Sequence, residues 1–214
     1  MIKLPALFSV VILAGCASGP PPPDWQMNAK SSLERATEAY LSGNTRVEVA
    51  EFARARAELA RTGRADLLAR AELTRCAARV ASLEFDDCPA FAALAQDAQP
   101  AERAYANYLA GKATSADTAL LPNAQRDLAG GVAAVAAMPE PLSRLVAAGV
   151  LLRSGRAEPA LYVVAADTAS AQGWSRPLLA WLHLQAQRAE AAADAELAAR
   201  LRRRIELVLN PVKP

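Results

Sequence analysis

The sequence predicts an all-α protein built of antiparallel helix pairs, arranged as an α-solenoid or as an irregular helical bundle. Three observations carry this. About a quarter of the 214 residues are alanine, the strongest helix former. Apolar residues recur at helical spacing, as in Ala69, Leu73, Cys76, Val80 and Leu83, with no convincing period-two strand pattern. Glycines and prolines then punctuate the chain where helices would stop and start.

Taken in order, Ser31-x-x-Glu34 reads as a capping box opening a helix to Ser42, with Gly43 as its stop. Thr45 to Arg61 follows, with Val49, Phe52, Ala53, Ala57 and Ala60 expected on one face and Gly63 beyond it. Asp66 to about Glu84 is the third helix. Asp87 is expected to cap a short helix carrying Pro89 in its first turn and running to about Gln96. Pro100 opens the next, Ala101 to Ala110, which Gly111 stops. Residues 112–122 are small and polar, the best internal linker. Asn123 to Met138 reads as a helix weakened by Gly130-Gly131. Pro141 begins a helix to Arg153, before Gly155, and Pro159 begins one that stops at Gly173. Pro177 opens a last long element, or two stacked ones, ending at Asn210-Pro211. Short connections make sequential helices antiparallel neighbours.

The N-terminus carries the three parts of a secretory signal. Lys3 is basic, Leu4 to Ala14 is apolar, and Ala14 and Gly15 are small. The apolar run of about eleven residues is too short to span a bilayer as a helix. Leu13-Ala14-Gly15-Cys16 resembles the lipobox of bacterial lipoproteins. That resemblance implies a signal peptide over 1–15 and lipidation of Cys16, the first residue of the mature chain. Ala17 and Ser18 follow, with no aspartate next to the cysteine; in enteric bacteria this resembles an outer-membrane address, facing the periplasm. Gly19-Pro20-Pro21-Pro22-Pro23 reads as an extended polyproline spacer, so residues 16–29 are the expected tether and 30–214 the helical domain, with a possible subdivision near 112–122.

With Cys16 set aside, Cys76 and Cys88 remain as an even pair, the candidate disulfide of an oxidising compartment. The alternative is one buried thiol and one at a helix start. The spacing does not suit a metal, and no metal or cofactor is expected.

Composition excludes several functions. Formal charge is +2, which argues against a nucleic-acid partner. The Arg202-Arg203-Arg204 run reads as a solvated helix face. Outside the signal, no apolar window is long enough for a second membrane segment. His183 is the one histidine and sits among apolar neighbours, as a packed or partly exposed side chain would. No nucleophile-elbow, Walker or dinucleotide motif is present. Asp86-Asp87 reads as helix capping before catalysis.

Tyr40-Leu41-Ser42-Gly43 and Tyr108-Leu109-Ala110-Gly111 are similar and lie 68 residues apart. Leu145 to Ala166 resembles a tetratricopeptide repeat. Ala148, Gly155, Ala160 and Val164 match the family's small, turn, small and bulky positions, and Ala36, Gly43, Ala50 and Ala57 form a looser copy. The resemblance covers about a third of the mature chain and implies a concave groove for a protein partner, with Tyr40 and Tyr108 as candidate partner-binding aromatics. The expected function is a non-enzymatic, lipid-anchored scaffold for another envelope protein. An envelope enzyme with an unrecognised carboxylate site, or a binder of a small ligand between helices, are the alternatives.

Overall fold

A computed structural model of the chain describes residues 21–126 and 130–210. The lipobox, Cys16 and the start of the proline run lie outside the described residues. The described ones form twelve helices and no strand.

Helix α1, Asp24–Leu41, starts seven residues before the expected capping box. Pro23 leads in with φ −57° and ψ 149°, and the Asp24 carboxylate favours the helix N-terminus. Ser31 and Ser32 therefore sit mid-helix, where both hydroxyls accept from Arg35. Gly43, at φ +82°, turns the chain into α2, Thr45–Ala60. This helix corrects the expected face. Val49, Ala53, Ala57 and Ala60 are exposed, while Glu48, Glu51, Phe52, Ala55 and Leu59 are buried. The carboxylates turn inward because arginines on neighbouring helices meet them. Arg75 Nε donates to Glu48 at 2.7 Å and Arg35 Nε to Glu51 at 3.0 Å.

Helix α3, Ala65–Ala81, is the centre of the molecule, packing on α1, α2, α5 and α9. Its stripe Ala69, Leu73, Cys76 and Val80 is buried as its spacing predicts. It ends before Glu84 because Leu83 takes the left-handed conformation, φ +62°, and the Glu84 N–H returns to the Arg79 carbonyl. The short α4, Pro89–Ala92, is not capped by Asp87. Asp86 Oδ1 accepts from the Cys88 N–H at 3.1 Å, and Asp87 pairs instead with Arg153 of α9.

Helix α5, Pro100–Leu109, is followed by α6, Ser115–Leu120, inside the expected linker. Thr114 and Asp117 form a true capping box there. Leu121 inserts into the main core, so residues 112–122 do not separate two cores. The helix expected over 123–138 is two elements, α7, Asn123–Arg126, and α8, Gly131–Ala137. Four helices complete the chain in sequence. These are α9, Pro141–Arg153, and α10, Pro159–Gln172; α11, Ser175–Ala191; and α12, Ala195–Leu209.

Residues with φ between +57° and +82° make the tight turns at Gly43, Gly111, Gly155, Gly173 and Ala193. One core runs from Tyr40 to Ile205, with Trp181, Leu145, Leu161 and Leu182 fully buried. A smaller one joins Ala29, Ala36, Phe52, Leu59 and Ala71.

The helix pairs do not form an open array. Trp174 Nε1 donates to Glu38 at 2.9 Å, and Arg176 Nε donates to the Tyr40 carbonyl at 2.8 Å. Trp181 Nε1 reaches the Ala81 carbonyl at 3.1 Å. The start of α11 thus seats on the ends of α1 and α3. Among the described residues no helix is long and apolar enough to cross a membrane.

A cation-rimmed trough as the candidate functional site

Cys76 and Cys88 are joined by a disulfide, with their α-carbons 5.7 Å apart. It pins the strained 83–88 segment, where Leu83, Asp87 and Cys88 all have positive φ. Arg79 holds Asp86 at 2.9 Å, and Arg176 lies 3.7 Å from Glu84. Asp86 and Asp87 therefore reach different helices and do not face each other across a cleft. Cys76, Asp86 and Cys88 are the one group among the described residues with metal-ligand proximity, but the two sulfurs are bonded to each other.

The aromatic residues that the sequence nominates are mostly structural. Tyr40 and Tyr108 are buried. Arg176 lies 4.4 Å above the Tyr40 ring, and Tyr108 stacks on Tyr105 at 5.7 Å. Burial, then the Glu84 charge, pushes the Tyr40 phenol up; burial, then Tyr105, does so for Tyr108. Tyr162, Trp174 and Trp181 are also core residues. His183 is exposed on α11.

The concave surface lies elsewhere. A cavity of about 460 Å³ runs between the start of α1 and the start of α3, over Trp25, Ala29, Leu33, Leu59 and Leu67. A second, of about 450 Å³, lies between α3, α5 and the end of α6, over Leu73, Tyr105, Leu120, Leu121 and Pro122. A third, of about 350 Å³, continues past Tyr108, Gln125 and Val150 toward α9. Arg70 lines the first two, and Leu121 and Arg126 line the last two, so the three adjoin in a row.

Local structure explains the walls of this trough. Tyr105 is half-buried, its phenol raised by burial and then by Glu140. Leu120, at the end of α6, is 45% exposed, an apolar side chain left at the rim. Glu102 is buried on α5; its Oε1 accepts from Arg70 Nε and Nη2 at 3.0 and 2.6 Å, whereas its Oε2 has no partner. Gln125 Oε1 and the Tyr108 hydroxyl are likewise buried without partners. Arg126 donates through Nε to the Leu121 carbonyl at 2.7 Å, which fixes its guanidinium at the mouth.

Sequence reasoning missed this trough because its walls come from α1, α2, α3, α5, α9 and the 120–126 segment. No protein-family model, curated protein or solved structure matches the chain.

Proposed function

We propose that the chain is a non-enzymatic scaffold, anchored through a lipidated Cys16 to the bacterial outer membrane on its periplasmic side, that holds another envelope protein in the trough. The observation that carries the reading is the row of three adjoining cavities along one side of a rigid helical frame. Together the cavities offer more volume than one small ligand fills, as grooves for extended or helical segments do. The Leu13-Ala14-Gly15-Cys16 motif supports the anchor, and the Cys76–Cys88 disulfide is in keeping with an oxidising compartment.

The tetratricopeptide likeness supports the reading at the level of hairpins. Gly155 turns α9 into α10 at φ +71°, and Ala148 is buried. Ala50, Ala57 and Ala160 face solvent where small packed residues belong. The likeness is therefore strongest in the α9–α10 hairpin, and the partner groove is the trough beside α3 and α5.

Capture of the full, lipidated chain from cross-linked, solubilised envelopes tests the reading. The expected result is a reproducible protein partner that is lost with Leu120→Glu, a rim substitution that leaves helical content unchanged. Recovery of no partner, or an equal yield with Leu120→Glu, overturns it. Cys16→Ser should release the chain from the membrane fraction; a variant that stays membrane-bound and mature-sized refutes the anchor.

A further inference from the structure

The trough has a charge that the rest of the chain does not share. The protein is nearly neutral, with a formal charge of +2. Yet among the described residues Lys30, Arg64, Arg70, Arg126 and Arg156 line the three cavities, with Glu102 as the carboxylate among them. Some of these cations are held by neighbours: Arg64 by Asp66 and Arg70 by Glu102. Lys30 lies 3.8 Å from Glu34, and both side chains are exposed. Arg126 differs. Among the described residues its hydrogen bond is to the Leu121 backbone, and no described carboxylate pairs with it. It stands exposed beside Leu121 and Pro122, where an apolar floor meets its guanidinium.

Glu102 Oε2 and Gln125 Oε1 are buried and closed off from the cavities, so the side chains that a partner meets are the apolar walls and the guanidinium. An apolar wall beside an exposed arginine suits an apolar side chain next to a carboxylate, the pairing that an acidic peptide segment supplies.

We infer that the trough recognises an acidic segment of its protein partner, placing an apolar side chain against Tyr105, Leu120 and Leu121 and a neighbouring carboxylate on Arg126. This rests on the scaffold reading and narrows it. Charge of this kind steers the encounter and fixes register, and guanidinium with carboxylate is the strong form of the contact.

The test places a benzophenone side chain in place of Leu120 in the full, lipidated chain within cell envelopes, and maps the adduct by mass spectrometry. The expected adduct is a protein segment with Asp or Glu within a few residues of the attachment point. Arg126→Gln should lower its yield about tenfold, the loss of one charge-assisted contact, while Arg126→Lys should largely keep it. Higher salt should lower the yield as well. Unchanged helical content and non-reducing mobility would show that both variants are folded. A mapped segment without acids, or a yield indifferent to Arg126→Gln, overturns this inference and leaves the scaffold reading standing. Adducts only to lipid, only to a second copy of the chain, or none at all, overturn both.

Discussion

Gly149 lies against the backbone of Val80, so close that a β-carbon on it would stand 2.3 Å from the Val80 carbonyl oxygen. This is where α9 crosses α3, the helix on which the frame is centred, and neither backbone has space to give. Gly149→Ala should therefore destabilise the protein by about 1–3 kcal/mol despite alanine's better helix propensity. Chemical denaturation with an unchanged m-value would show it; a variant as stable as the parent would mean the crossing is looser than described.

Ala193 stands at the α11–α12 turn with φ +57°, the position that glycine fills at four other turns. An L-residue in this conformation costs roughly 1–2 kcal/mol. Ala193→Gly should thus raise stability by about 1 kcal/mol, the opposite of its effect inside a helix. The side chain is exposed, so no packing is lost. A fall in the melting temperature would contradict the turn geometry.

Glu48 is almost fully buried, and Arg75 is its partner, stacked 4.7 Å over the Phe52 ring. Removing the arginine alone leaves a buried carboxylate, so Arg75→Ala should cost about 3 kcal/mol. Arg75→Leu combined with Glu48→Leu should recover most of that loss. A double-mutant cycle reads the coupling directly. Additive losses would show that the pair does not act as a unit.

Acid should unfold the frame in a defined direction. The hydrogen bond from Arg35 holds the Glu51 carboxyl below its usual range, and Arg64 does the same for Asp66. The Thr114 backbone N–H, then its hydroxyl, lowers Asp117. A folded-state value below the unfolded one contributes stability above the ordinary value of 4.5 for a glutamate. That stability is lost as pH falls through the lowered values. Thermal melts should be level near neutrality and decline below about pH 4.5, with a shallower decline in Glu51→Gln. A decline equally steep in that variant would remove Glu51 from the account.

The Cys76–Cys88 bridge spans a sequence separation of 12, and its loss should cost about 2–4 kcal/mol. The purified protein should show no alkylatable thiol at either position until it is reduced, and reduction should lower the melting temperature. Free thiols in the unreduced protein would show that the bond does not form.

Helix ends were legible wherever backbone chemistry dictates them. Gly43, Gly111, Gly155 and Gly173 stop helices because they alone accept positive φ cheaply, and Pro89, Pro100, Pro141 and Pro159 start them. The inward face of α2 was not legible. Its burial is decided by arginines at 35 and 75, on α1 and α3, which no local pattern on α2 reveals. Ser31-x-x-Glu34 misled for a related reason, since a capping box is a side-chain geometry, and Thr114 and Asp117 realise it while Ser31 and Glu34 do not. The trough needed the fold itself, because its walls are contributed by segments well over a hundred residues apart, from Trp25 to Arg156.

The contact between Trp174 and Glu38 bears on how the chain reaches this state. In an open helical array, each unit can fold on its immediate neighbour as the chain emerges. Here the first hairpin finds part of its seat only when residues 136 positions later arrive. High contact order of this kind slows folding. A chain delivered N-terminus first would therefore keep the ends of α1 and α3 uncovered until α11 follows, and the last step of folding would be the closing of a ring.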